Sequence, residues 1–133
     1  MGCRGQVCVK MWDNDPDVYL CTHYTAHNLP DLVRQVILDG RRIEDNSYLA
    51  RIIFCQMVQS HLFDDRGFGI DTCLYTDIQV LVTVDPDKKK VVVDRTMYDG
   101  DVYEYAYDEA DTAAADDTKH GGELFVRPVV LEP

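Results

Sequence analysis

Two helix signals stand back to back in a chain whose remainder is patterned for strands. Asn28 is a suitable N-cap and Pro30 suits a first turn. Leu29, Leu32, Val33, Val36 and Ile37 then recur at the i, i+3, i+4 spacing until Gly40. After Arg41-Arg42-Ile43-Glu44, Asp45 offers a second N-cap. Tyr48, Leu49, Ile52, Ile53 and Met57 form a second apolar stripe, which we extend to Leu62 and Phe63. On either side the period changes to two. Gln6 to Met11 alternates as a half-buried strand, Asp13-Asn14-Asp15-Pro16-Asp17 is a turn, and Val18 to Tyr24 completes a hairpin. Downstream, Gly67-Phe68-Gly69 leads into a strand over 70–75. Val80–Val84 and Lys90–Asp94 flank a hairpin turn, and Val102 to Tyr107 alternates as an acid-flanked edge strand. A last strand over 124–131 would be confined to an edge by Pro128. The order ββαα, then three to five strands, predicts an α+β fold: a mainly antiparallel sheet covered on one face by two helices.

At 133 residues the chain has the length of one domain. Residues 1–97 form its compact part, and 98–133 supply the acidic edge strand, a flexible loop over 110–122 and the C-terminal strand. The net charge of −11 is unevenly spread: eight of the 24 acids lie between Tyr98 and Asp117, a stretch without a base. Elsewhere 16 acids face 13 bases. An acidic chain repels phosphate backbones, so direct nucleic-acid binding is not expected. No apolar run approaches the roughly 20 residues that span a bilayer, and the N-terminus lacks the h-region of a secretory signal. Met1-Gly2-Cys3 resembles an acylation start, but Gln6 stands where that pattern wants Ser or Thr. We therefore expect a soluble cytoplasmic protein without a membrane partner. The five cysteines include no Cys-x-x-Cys pair and are expected to be reduced thiols, with Cys8 and Cys55 acting as small hydrophobes. No cofactor is called for. Asp13, Asp15 and Asp17 alternate like the start of a calcium loop, but Val18 and Tyr24 occupy the positions of its Gly and Glu, so a calcium loop is excluded.

Chemistry concentrates in Val18 to His27, where an apolar run ends in hydroxyls, a thiol and two imidazoles just before a helix. His23 and His27 are four apart but precede the helix and lack a Glu-x-x-His pattern, which argues against zinc. His23 could act as a general acid or base, or hydrogen-bond a ligand, or simply close a strand end. Cys21 and His23 share a strand face, yet i, i+2 neighbours rarely reach the geometry of a nucleophile pair. Arg34, Arg41, Arg42, Arg51 and Arg66 gather around the helices. Arg34 and Arg42 are expected at the surface. Arg51, at the border of the apolar stripe, and Arg66 could offer planar forks to a phosphate or carboxylate, or serve in structural ion pairs. The candidate ligand-binding set is Thr22, His23, Tyr24, Arg51 and Arg66, with His23 as the alternative catalytic residue and no metal ligand.

Gly5-Gln6-Val7, Val18-Tyr19-Leu20 with Thr22-His23-Tyr24, Tyr48 to Phe54, and Gly67 to Thr72 together resemble a family of small phage and prophage proteins that has no assigned activity. The resemblance covers roughly residues 5 to 95, and the chain departs from the family pattern at Cys21, Tyr24 and Asp71. It implies a small virus-borne accessory protein of the counter-defence type, acting in the host cytoplasm. On this basis the first expectation is a protein that sequesters a phosphorylated, nucleotide-derived ligand without turnover. Thr22, His23 and Tyr24 would hold base or sugar, and Arg51 and Arg66 phosphate. The alternatives are an acidic decoy, whose Tyr98–Asp117 segment occupies a basic host nucleic-acid-binding protein, and a hydrolase or lyase with His23 as acid/base. Edge strands rich in Tyr and Val leave room for a homo-oligomer.

Overall fold

The computed structural model describes residues 4–12, 15–96 and 100–110. Its elements are β1 (Gly5–Val9), β2 (Val18–Thr22), a 3-10 turn (Ala26–Asn28), α1 (Leu29–Asp39), α2 (Asn46–Met57), β3 (Phe68–Asp71), β4 (Val80–Asp85), β5 (Lys90–Asp94) and β6 (Val102–Ala106), followed by a second 3-10 turn. The strands form one mixed sheet in the order β3-β2-β1-β4-β5-β6. Only the β1–β4 pair is parallel among the described strands; the other four pairs are antiparallel. The fold is thus α+β, mostly antiparallel, with two helices on one face. Among the described residues no helix is long and apolar enough to cross a membrane.

The strand order explains one departure from expectation. Alternation predicts a half-buried β1, yet all five of its residues are buried. β1 is central, between β2 and β4, and its two faces are both covered. Val7 and Val9 face the helices, where they join Leu20, Val80, Val82, Val84, Val91 and Val93 against Leu29, Val33, Val36 and Ile37 of α1 and Leu49 and Ile53 of α2. Gln6 and Cys8 point the other way. Segment 72–79, which carries the chain from β3 at one edge to β4 beside β1, closes over Gln6. The Gln6 amide donates to Cys21 Sγ at 3.3 Å and to the Cys73 carbonyl at 3.1 Å, and accepts from the Tyr75 N–H at 2.9 Å. A buried amide with three partners avoids the cost of an unpaired polar group.

Local chemistry also moves several element ends. The third strand is not 70–75 but Phe68–Asp71. Asp71 Oδ1 accepts from the Thr72 N–H at 2.7 Å and Oδ2 from the Tyr75 hydroxyl at 2.9 Å, which turns the chain off the sheet edge. Those donors, Thr72 first, hold the Asp71 carboxyl below its usual range. The Asp45 N-cap forms as expected, accepting from the Tyr48 N–H at 3.2 Å. However, α2 stops at Met57, and Leu62 and Phe63 lie outside it with 65% and 97% of their surface exposed. Its buried face is Asn46, Leu49, Ala50, Ile53 and Met57. That rotation leaves Cys55 exposed rather than in the core, and Tyr48 half exposed beneath the Arg42 guanidinium. Arg34, expected at the surface, is only 4% exposed, with Nη1 2.7 Å from Asp31 Oδ1. The acidic edge strand is β6, tied back to the helices by the Tyr107 hydroxyl, which donates to the Ile43 carbonyl at 2.8 Å. The loop and strand expected beyond residue 110, and Asp13 and Asn14 of the first turn, lie outside the described residues.

Burial of ionisable groups on the face opposite the helices predicts alkaline lability. Burial, then the Asp17 carboxylate, pushes the Cys8 thiol from 9.0 up to about 11, and burial followed by Cys8 pushes the Tyr19 phenol from 10.0 up to about 12. Folding favours the protonated form of both. Their contribution is therefore complete below the unfolded pKa values and is lost as pH rises through the folded ones. The urea midpoint should fall between pH 9 and 11, and Cys8→Ala should flatten that fall; an unchanged slope in the variant would contradict the assignment.

Candidate functional site

The polar end of β2 is built by one hydroxyl. Thr22 Oγ1, only 1% exposed, accepts from the N–H groups of Tyr24 and Thr25, each at 3.3 Å, and lies 3.0 Å from Thr25 Oγ1. This local turn competes with strand continuation and swings the chain into the 3-10 turn and α1. The His23 N–H donates to the Gly67 carbonyl at 3.0 Å. Gly67 is at φ +98°, where side chains are disfavoured, and a Cβ there would meet the Tyr24 ring at 3.0 Å. The β2 and β3 ends are thereby locked together, and Thr25 is carried forward.

Thr25 opens onto a cleft of about 360 Å³ between the start of α1 and the end of α2. Leu29, Leu32 and Met57 supply its apolar surface. Asn28 and Asp31 contribute from α1 and its cap, Gln56 from α2, and Gln59, Ser60 and His61 from the turns after α2. Phe68, the first residue of β3, completes the lining. The His61 ring lies against Phe68, centroids 5.4 Å apart, with Nδ1 2.9 Å from Asp64 Oδ2. That bond and the His61 N–H to Val58 carbonyl bond of 2.7 Å hold the imidazole in place.

The electrostatics of the cleft are close to neutral. Its lining carries the Asp31 carboxylate, already bonded to Arg34, and includes no Arg or Lys among the described residues. Two of the N–H groups at the start of α1 are already used. The Asn28 N–H is bonded to the Thr25 carbonyl, the Leu29 N–H to that of Ala26, and Pro30 has none. The Asn28 side chain caps no backbone group. Hydroxyls and primary amides are therefore the groups available to a ligand here, around one aromatic ring and one imidazole.

The five residues expected to bind ligand fall into two places. Thr22, His23 and Tyr24 sit at the joined β2–β3 end, with Arg66 one residue before Gly67. There Thr22 is structural, His23 and Tyr24 are exposed, and the Arg66 side chain is 84% exposed with Nε 3.9 Å from Asp65 Oδ1. Arg51 stands apart on the outer face of α2, its Nη1 3.8 Å from Cys55 Sγ. None of the five lines the cleft; Thr25 and Phe68, their neighbours in chain and ladder, do. Sequence reasoning missed Asn28, Gln56, Gln59, Ser60 and His61. Neutral amides on a helix carry no distinctive spacing, and the apolar pattern carries Gln59 to His61 on a helix that ends at Met57. Comparison with known protein families, with curated proteins and with solved structures finds no match to this chain.

Proposed function

We propose that the protein is a ligand-binding protein that holds the nucleoside part of a nucleotide-type small molecule in the α1–α2 cleft, without turning it over. The observation that carries this is the lining itself: Asn28, Gln56 and Gln59 amides and Thr25 and Ser60 hydroxyls arranged around Phe68 and His61. A nucleobase has apolar faces and a hydrogen-bonding edge. An aromatic ring supports the faces, at roughly 1–3 kcal/mol per stacked base, and primary amides present donor and acceptor in one plane to the edge. The volume fits the lower range of small-molecule sites, about 300–1,000 Å³. Any phosphate on such a ligand would lie outside the cleft, since the described lining offers it a carboxylate and no cation. In a virus-borne protein, the origin that the sequence resemblance implies, such binding would withdraw a host signal molecule. That origin motivates the counter-defence reading.

The test is calorimetry with a panel of nucleosides and nucleotides, followed by chromatographic recovery of the bound compound. Intact recovery at one equivalent is expected. Gln56→Leu or Gln59→Leu should weaken binding about tenfold, or ~1.4 kcal/mol, with little change in thermal midpoint. Product formation would sink the no-turnover proposal, and indifference of affinity to both variants would sink the cleft.

A further inference from the structure

Among the described residues β3 ends the sheet, and its pairing phase leaves a defined set of backbone groups facing outward. The His23 N–H bond to the Gly67 carbonyl marks that opposed pair as hydrogen-bonded. By alternation Cys21–Gly69 and Tyr19–Asp71 are hydrogen-bonded too, whereas Phe68 and Ile70 oppose Thr22 and Leu20 in the other phase. The N–H and C=O groups of Phe68 and Ile70 therefore point away from β2, at the open edge. The next outward N–H, that of Thr72, is taken by Asp71 Oδ1.

Exposed apolar residues stand at the start of this edge and on it: the turn closed by the Asp64 N–H to His61 carbonyl bond, held against Phe68 by the His61 ring, carries Leu62 and Phe63. Ile70 is 62% exposed on the helix side of the sheet, and the loop entering β3 presents Leu62 and Phe63 at 65% and 97%. Isolated exposed apolar residues are ordinary; an exposed isoleucine on a strand edge unpaired among the described residues, entered by a turn with two more, is the pattern of an interaction site. Carboxylates rim it. Asp64 and Asp65 follow Phe63, with exposed side chains, and Asp71 lies on the sheet face opposite Ile70, while Arg66 is the one Lys or Arg in the sequence from 61 to 72. The net charge of −11 opposes a second copy of this chain here.

We propose that the β3 edge binds an extended segment of another protein in which apolar and basic residues alternate. The segment pairs with the backbone of Phe68 and Ile70, its apolar side chains lie beside Ile70 and Phe63, and its Lys or Arg side chains lie toward Asp71 and the Asp64–Asp65 rim.

The probe is a capped Lys-Val-Lys-Val-Lys-Val-Lys peptide titrated into the full chain and followed by amide NMR, with the Glu-for-Lys peptide as counterpart. The lysine peptide should bind at least about tenfold tighter, shift the Phe68 to Asp71 amides and slow exchange at Phe68 and Ile70. Phe63→Ser, at a residue with almost no packing, should weaken binding about tenfold. Ile70→Pro should do the same by removing an outward N–H that the β2–β3 ladder does not use. If Ile70→Pro does not fold, Phe63→Ser carries the test alone. Equal affinity for both peptides, shifts centred on Val102 to Ala106, or a dimer of the free chain at this edge would each overturn the proposal.

Discussion

Gly5→Ala should lower the stability of the protein by about 3 kcal/mol, near the upper end for an overpacked core site. A Cβ at position 5 would lie 2.6 Å from Ala26 Cβ, 3.0 Å from Leu29 Cδ1 and 3.0 Å from the Val80 carbonyl oxygen. The Leu29 methyl can move, but the other two cannot do so independently. Ala26 has no rotamer and belongs to the 3-10 turn that launches α1, and the Val80 oxygen is part of the parallel ladder in which Gly5 opposes Val80. Relief requires α1 to back away from the sheet or β1 to separate from β4, and either opens the core. For a chain of this length the loss corresponds to a fall of roughly 10 °C in thermal midpoint. Gly69→Ala is the control, because a Cβ there meets nothing within 4 Å. A Gly5→Ala protein that melts with the Gly69→Ala control would show that the packing at the start of α1 is looser than described.

Gln6→Leu should cost about 2–3 kcal/mol, with a local signature that a simple core substitution would lack. Gln6 is fully buried, and leucine of similar size fills its place, so the loss comes from the three hydrogen bonds rather than from a cavity. The Tyr75 N–H and the Cys73 carbonyl lose partners inside the protein. Segment 72–79 is attached to the sheet face through them, so it should lift. Amide exchange over 73–76 should accelerate well beyond the change seen in α1, and Cys21, now 4% exposed, should react with a thiol reagent at a rate approaching that of exposed Cys55. A uniform rise in exchange, with Cys21 still protected, would mean that the segment is held by other contacts.

These two positions show what could be read from residues alone. Both helix starts were legible because their signals act within one turn: Asp45 bonds the Tyr48 N–H, and Pro30 falls at the start of α1, although the side chain of Asn28, the cap expected there, bonds no backbone group. The hairpins β1–β2 and β4–β5 were legible because alternation and turn chemistry are also local. The end of α2 was not. Leu62 and Phe63 continue an apolar pattern, yet the chain leaves the helix at Val58 and exposes both, an outcome that hydrophobicity alone does not predict. The cleft was half visible. The polar run ending β2 does adjoin it, but through Thr25 rather than through the more conspicuous Thr22 and His23, because the Thr22 hydroxyl is consumed by its own turn.

Local stereochemistry, encoded residue by residue, determined that this chain makes strands, then two helices, then strands, and which faces of those elements are apolar. Only the tertiary structure decided that β4 lies parallel to β1, and with it that Gln6 is sealed on the far face instead of meeting water. It alone brought residues 25–32, 56–61 and 68 around one cleft and left β3 as an open edge among the described residues. The physical reason is range. Caps, turns and periodicity act over a few bonds, whereas strand order and the cleft arise from burying all apolar faces at once, a condition that no short window of sequence contains.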